Sequence, residues 1–212
     1  CDEAEEGVRV VLAECLGLLL TLSPAAGVEQ AVARLEEGDW KTRACVVMAT
    51  KFAYAESDNA VLREQLATHM PAFMKAVDDA HPYVRRAALL MITYFARHEK
   101  GYVIQSLDLG LLTSLLQQCR VNFDLVRVVD LGDGLYVTDD GVDVRKAAYE
   151  CLNAVMSLSD AELDYATILQ AIVYGLEVYY DVPNVSKKLE NADDVQVLCL
   201  HILGNLDVAA HH

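Results

Sequence analysis

A pattern of four residues recurs five times along this chain of 212 residues and limits what the chain can fold into. In each copy, small or apolar residues stand at a first position and then four, seven and eleven residues later, which places all four on one stripe of an α-helix. The copies are Val8, Leu12, Cys15 and Leu19; Thr42, Val46, Ala49 and Ala53; Val84, Ala88, Met91 and Phe95; Val144, Ala148, Cys151 and Val155; and Val195, Cys199, Ile202 and Leu206. Such repetition predicts a stack of similar helices.

The distance between copies indicates the size of one repeat. Successive copies begin 34, 42, 60 and 51 residues apart, and the first two distances fit helical pairs of the HEAT or armadillo kind, which take about 40 residues each. The sequence therefore predicts an all-α fold, a HEAT-type α-solenoid whose helical pairs wind into a right-handed superhelix. We expect residues 1–212 to be a fragment of one such array, with a half repeat at 1–23 and repeats at about 24–58, 59–100, 101–160 and 161–210.

The 60-residue interval holds about 20 residues more than a helical pair needs, and these residues have the composition of a β-hairpin. Leu125–Val129 is a short run rich in β-branched residues, and the Asp-Gly pair at 133–134 is a strong signal for a tight turn. Leu135–Thr138 is typical of a returning strand. We predict a β-hairpin at about 122–140 that projects from the helical array.

The predicted hairpin carries more apolar side chains than a solvated loop should expose. Because side chains alternate between the two faces of a strand, apolar residues remain for a partner whichever face packs on the repeats. The candidate partner-binding residues are Arg127, Val128, Val129, Leu131, Leu135, Tyr136 and Val137. Among them we expect Leu131 and Tyr136, near the tip, to be the anchors, since large side chains that enter a pocket dominate binding.

An arginine follows the first position of the stripe in four of the five copies, and acidic residues precede three of these arginines by a few residues. The arginines could contact a partner, or they could pair with acidic side chains as a ladder between neighbouring repeats. The second interpretation is favoured, because stacked repeats commonly use such pairs. The predicted ladder consists of Arg9, Arg43, Arg85, Arg145, Asp79 and Asp140.

The charge balance disfavours two classes of partner. The chain has 17 Lys and Arg against 32 Asp and Glu, a net charge of −15, and its pI is about 4.6. Nucleic acids and anionic membranes would be repelled overall, whereas a basic protein surface would be attracted. No stretch reaches the roughly 18 consecutive apolar residues that a membrane helix needs.

The sequence shows no motif for catalysis or for metal binding. Its six cysteines are scattered without a CxxC pair, and Cys15, Cys45, Cys151 and Cys199 stand on or beside the predicted stripe, so we expect reduced thiols in the core. Asp139, Asp140 and Asp143 do not complete a calcium-binding loop, and no GxSxG nucleophile motif is present. We therefore predict a protein without enzymatic activity, metal or cofactor.

Several segments resemble one family. The stretch TDDGVDVRKAAYEC, Thr138 to Cys151, together with the hairpin before it, closely resembles the carboxy-terminal region of the cullin-associated, neddylation-dissociated protein family. Three further segments follow the same region in the same order: AECLGLLLTLSP from Ala13, PYVRRAALLMI from Pro82 and VYGLEVYYDV from Val173. The resemblance covers most of the chain, from about Ala13 to Val182.

The resemblance implies a fold, partners and a location. The family is a HEAT-repeat superhelix that wraps around cullins, and its carboxy-terminal repeats hold the amino-terminal domain of an unmodified cullin. A hairpin from one repeat occupies the surface of the substrate-receptor adaptor, so the protein exchanges receptors on cullin–RING ubiquitin ligases. The expected location is cytoplasmic and nuclear.

Two features depart from the family pattern, and one alternative function remains. The family turn tends to carry Gly-Pro-Phe-Lys, whereas this chain has Gly-Asp-Gly-Leu at 132–135, and the segment Pro183–Asp194 resembles an insertion. The alternative is another HEAT-repeat scaffold or transport adaptor, one that binds a basic protein partner, which the net charge of −15 would also suit.

Overall fold

The computed structural model describes residues 3–107, 110–130, 132, 135–158, 163–177 and 192–209. The α-helices in these ranges are α1 (Glu3–Leu22), α2 (Pro24–Glu37), α3 (Trp40–Glu56), α4 (Ala60–Met74), α5 (Pro82–His98), α6 (Lys100–Leu107), α7 (Leu111–Gln118), α8 (Val142–Met156), α9 (Tyr165–Glu177) and α10 (Ala192–Ala209). Short 3-10 turns cover Lys75–Asp78 and Phe123–Leu125. The strands are β1 (Val126–Asp130) and β2 (Leu135–Asp139).

The helices form two layers. Helices α1, α3, α5, α8 and α10, which carry the repeated stripe, stack on one another in this order and form the inner layer. Helices α2, α4, α6, α7 and α9 form the outer layer, and they pack less extensively on each other than the inner helices do. This arrangement confirms the predicted all-α array of HEAT-type helical pairs with one projecting hairpin, while the exact repeat boundaries stay predictions.

The repeated stripe forms the core in the middle of the array. The third copy, Val84, Ala88, Met91 and Phe95, has no exposed surface at all, and the second and fourth copies are buried apart from the half-buried Thr42. In the fifth copy Val195, Cys199 and Ile202 are buried, and Leu206 lies outside the described side chains. The 3.6-residue period thus identified the buried face of α3, α5, α8 and α10.

The first copy of the stripe, on α1, is exposed. Val8 and Leu19 are each 60% exposed and Leu12 is 54% exposed, whereas Ala13 and Leu20 are the buried residues of this helix. The reason is that α1 packs on α2 and α3, and within the described residues no helix covers its opposite side. Cys15, which was predicted to be a core thiol, shares this exposed side.

The other cysteines follow the prediction more closely. Cys151 and Cys199 are buried free thiols, and Cys45 is half-buried. Cys119, which does not belong to the predicted stripe, is also a buried free thiol. Burial raises the pKa of the Cys151 thiol to about 12 and that of Cys199 to about 11. These thiols behave as small apolar side chains, because the reactive thiolate is strongly disfavoured at neutral pH.

The outer layer departs from the prediction between 100 and 118. One helix was expected before α8, but two short helices, α6 and α7, occupy this stretch. Gly110 precedes α7 with a φ of 95°, in the left-handed region that glycine adopts without a steric penalty. The turn at Gly110 therefore divides the first part of this repeat into two helices. Nothing among the described helices is long and apolar enough to cross a membrane.

A pair of substitutions tests the unequal burial of the stripe. Replacing Met91, which has no exposed surface, with Ala should lower the free energy of unfolding by about 2–5 kcal/mol, because the change removes buried methylene groups and leaves a cavity. Replacing the exposed Leu12 with Ala should change it by less than about 0.5 kcal/mol. Urea unfolding of the two variants measures the difference, and equal losses would contradict the structure.

Candidate functional site

The predicted hairpin is present, and its register defines two faces. Strands β1 and β2 are antiparallel, with Val126 opposite Asp139, Val128 opposite Val137 and Asp130 opposite Leu135. At the turn, the Gly132 N–H donates a 2.8 Å hydrogen bond to Asp130 Oδ1, and Gly132 has a φ of 85°. Leu131, Asp133 and Gly134 lie outside the described residues, so the predicted role of Leu131 as an anchor stays a prediction.

The two hairpin faces differ in chemistry. Directly opposed residues share a face, so one face carries the aliphatic side chains of Val126, Val128, Leu135 and Val137 together with Asp130 and Asp139, and the other carries Arg127, Val129, Tyr136 and Thr138. Val128 is 49% exposed and Leu135 is 42% exposed, while Val129, Tyr136 and Val137 are half-buried. The largest apolar exposure on the strands thus belongs to Val128 and Leu135, on the opposite face from Tyr136.

An exposed aromatic side chain lies at the base of the hairpin, and it was not among the residues predicted to bind a partner. Phe123, in the 3-10 turn before β1, is 68% exposed. The Asn122 side chain accepts a 3.0 Å hydrogen bond from the Asp124 N–H and so begins this turn. The sequence offered one indication of this exposure. Phe123 stands between the turn-forming residues Asn122 and Asp124, so it cannot belong to the buried stripe of a helix.

A buried ion pair fixes the hairpin to the array. The Asp139 carboxylate at the end of β2 contacts the Arg145 guanidinium of α8, and their side chains are only 1% and 5% exposed. Asp139 Oδ1 also accepts a 2.7 Å hydrogen bond from the Gly141 N–H. On the other strand, the Leu125 carbonyl accepts a 3.0 Å bond from the Asp140 N–H. The start of α8 therefore sets the direction in which the hairpin projects.

The acidic partner of Arg145 is Asp139, which corrects the assignment of Asp140 to the ladder. Asp140 pairs instead with Arg127 of β1, at 2.7 Å, and both side chains are largely exposed. The physical reason is alternation along β2: Asp139 points to the array, so its neighbour Asp140 points away from it. The sequence alone offered both carboxylates at nearly the same distance from Arg145.

The remaining ladder residues have different partners. Arg43 of α3 makes a two-pronged ion pair with Asp79, which precedes α5, with Nε–Oδ2 and Nη2–Oδ1 distances of 2.7 and 2.8 Å. Arg85 donates to the backbone carbonyls of Asp79 and Ala80. The Arg9 guanidinium lies over the rings of Trp40 and Tyr83, 5.6 and 5.4 Å from their centroids. Arg43–Asp79 thus links two neighbouring repeats.

Asp79 is the centre of this link. Burial alone would raise the pKa of its carboxyl, but the bonds from Arg43 and from the His81 N–H outweigh burial and lower that pKa. The carboxylate is therefore charged at neutral pH, and its oxygens are engaged by groups of the array itself. Such geometry indicates a structural role for Arg43 and Asp79, since little of either group remains for a partner.

The geometry defines the protein as a HEAT-repeat array. Its distinctive exposed feature is an apolar hairpin whose base is held by the Asp139–Arg145 ion pair. Among the described residues, no three His, Cys, Asp or Glu side chains come together in a way that could hold a metal ion. Residues 103–211 match the protein family described as "TATA-binding protein interacting (TIP20)".

Relatives extend this match over most of the chain. This chain is 37% identical over 186 residues to "Cullin-associated NEDD8-dissociated protein 1" of Arabidopsis thaliana. It is 33% identical over 184 residues to "Cullin-associated NEDD8-dissociated protein 2" of Mus musculus. These alignments cover 86% of this chain and 15% of each relative. A third relative, "Cullin-associated NEDD8-dissociated protein 1, C-terminal part" of Emericella nidulans, is 28% identical over 184 residues, 85% of this chain and 17% of the relative.

The chain therefore belongs to the cullin-associated, NEDD8-dissociated protein family and corresponds to its carboxy-terminal region. The resemblance that the segment Thr138 to Cys151 suggested is confirmed. The chain spans about a sixth or less of the length of these relatives.

Proposed function

We propose that this chain is the cullin-binding, carboxy-terminal part of a longer regulator that acts without chemistry of its own. In this proposal it binds the amino-terminal domain of an unneddylated cullin and displaces the substrate-receptor adaptor, so that cullin–RING ubiquitin ligases exchange their receptors. This receptor exchange takes place in the cytoplasm and the nucleus. Support comes from the family, whose members carry names that describe cullin association.

The observation that carries the proposal is the hairpin with its exposed aliphatic face. A two-stranded hairpin is marginal by itself in water, yet here the buried Asp139–Arg145 pair holds its base in place. Val128 and Leu135 remain exposed on one face, which a purely structural insertion would not require. A pre-organised apolar surface loses little conformational entropy on binding, and this favours recognition of a folded partner.

A second candidate function is a transport adaptor that binds a basic protein, and the net charge of −15 is the observation that favours it. Such an adaptor would use the acidic surface of the whole array. It would not depend on the hairpin, so the two functions predict different effects of the same hairpin variants.

The test replaces Val128 and Leu135 together with Asp and measures binding of a purified cullin amino-terminal domain. Because exposed apolar anchors at an interface contribute about 2 kcal/mol or more each when they matter, we expect the dissociation constant to rise by at least about tenfold. The matched control replaces Val61 and Leu169, which are 50% and 45% exposed on α4 and α9, with Asp. The control adds the same charge at the same exposure and should leave binding within about twofold.

Equal weakening by both pairs would show that added negative charge, and not the hairpin, controls binding. Unchanged binding in both variants would also contradict the proposal. The far-ultraviolet circular dichroism of each variant should match that of the parent chain, because none of the four side chains is buried in the core.

A further inference from the structure

Basic residues are concentrated on two neighbouring inner-layer helices of this acidic chain. Helices α3 and α5 together contain one acidic residue, Glu56, out of 32 in the chain, but six of the 17 basic residues. The six are Lys41, Arg43, Lys51, Arg85, Arg86 and Arg97. The net charge of −15 thus conceals a positive region in the middle of the inner layer.

Two of these six cations serve the fold, and four lie on its surface. Arg43 is bound to Asp79, and Arg85 is buried on backbone carbonyls. The other four define what we call the basic strip: Lys41 and Lys51 of α3, and Arg86 and Arg97 of α5. Half-buried apolar side chains lie among them on the same helix faces, namely Met48, Phe52, Leu90 and Tyr94.

The basic strip lies on two neighbouring helices of the inner layer. The inner helices pack more extensively on one another than the outer helices do, and α3 and α5 are in direct contact. Two contacts reach across α3 from α1 to α5: Glu6 makes an ion pair with Arg86, and Arg9 lies over the ring of Tyr83. A segment that lies across α3 and α5 would contact cations of both helices.

Two cations of the strip, Lys51 and Arg97, make no ion pair within the described part of the chain, whereas Lys41 lies beside the Asp39 carboxylate. Lys51 is half-buried, and its Nζ lies 4.8 Å from the centroid of the Phe52 ring. Burial lowers the pKa of this ammonium group, with no anion to oppose the effect. Leaving a partly desolvated cation unpaired is unfavourable, and a carboxylate from outside would remove that cost.

We propose that the basic strip binds an acidic, partly apolar segment of a partner protein. Carboxylates of the segment would pair with Lys51 and Arg97, and its apolar side chains would cover Met48 and Leu90. The structure already holds one carboxylate in this region, that of Glu6 on Arg86, which shows that the strip accepts such a group. This site is separate from the hairpin. It would bind an acidic partner, whereas the net charge of −15 favours a basic one.

The experiment measures fluorescence anisotropy of a labelled synthetic helix-forming peptide with Glu on one face and Leu on the other. The 212-residue chain should bind it saturably, and the same peptide with Gln in place of Glu should not bind. Replacing Lys51 and Arg97 with Gln should weaken binding by about tenfold, since two charge-assisted contacts are lost. The matched control replaces Arg34 and Lys75, exposed on the outer side, with Gln and should change binding by less than about twofold.

Three results would overturn the proposal. The first is no binding of the acidic peptide by the parent chain. The second is equal loss in the Lys51/Arg97 and Arg34/Lys75 variants, which would mean that only net charge matters. The third is binding of a single-stranded oligonucleotide through Lys51 and Arg97 without binding of the peptide. Neither variant should lower the melting temperature of the parent, because none of the four side chains forms an ion pair among the described residues.

Discussion

Replacing Asp139 with Ala should lower the free energy of unfolding by about 3–5 kcal/mol, because the change removes the carboxylate from a buried ion pair and leaves the Arg145 guanidinium buried without that carboxylate. The two side chains are 1% and 5% exposed, so water cannot replace the lost carboxylate in the folded chain. The Gly141 N–H loses its acceptor at the same time. The loss is measured by urea unfolding of the 212-residue chain, followed by far-ultraviolet circular dichroism.

The adjacent acidic residue provides the control. Asp140 pairs with Arg127 where both side chains are largely exposed, and exposed pairs contribute at most about 1 kcal/mol, so Asp140→Ala should have a small effect. A second variant replaces both Asp139 and Arg145 with apolar residues of similar size. It should be more stable than Asp139→Ala, since both charges of the buried pair are then removed. If Asp139→Ala and Asp140→Ala are equally stable, Asp139 does not anchor the hairpin.

Periodicity alone was sufficient to predict the inner layer. The stripe through Met91 is a local property of one helix, and in the middle of a stack every such stripe meets neighbours on both sides. The hairpin was also predictable, because β-branched runs on either side of an Asp-Gly pair are a local signal. The stripe through Leu12 is exposed because no further helix among the described residues covers that side of α1.

The candidate site was less predictable because its features depend on orientation. Alternation gave two possible faces, but the sequence did not show that Val128 and Leu135 would be more exposed than Tyr136. Nor did it show that Asp139, and not Asp140, would point to α8. The basic strip was not predicted for a different reason. The net charge is a sum over the whole chain, whereas a partner contacts only one part of the surface.

Replacing residues 126 to 137 with a short Gly-Ser linker should leave the helical array intact. The strands pair with each other, and the replaced residues supply no side chain to the buried core. Asp139 lies outside the replaced segment, so its ion pair with Arg145 is retained at the start of α8. Helical content should therefore be unchanged apart from the loss of the two strands, and the melting temperature should stay close to that of the parent.

We propose that the hairpin displaces the receptor adaptor from a cullin. The most direct measurement is a competition assay in which the full-length parent protein, with and without residues 126 to 137, displaces a labelled adaptor from a purified cullin amino-terminal domain. We expect removal of the hairpin to raise the concentration needed for half-displacement by about tenfold or more, since the apolar anchors are lost. Equal displacement by the two forms would contradict this account of the hairpin.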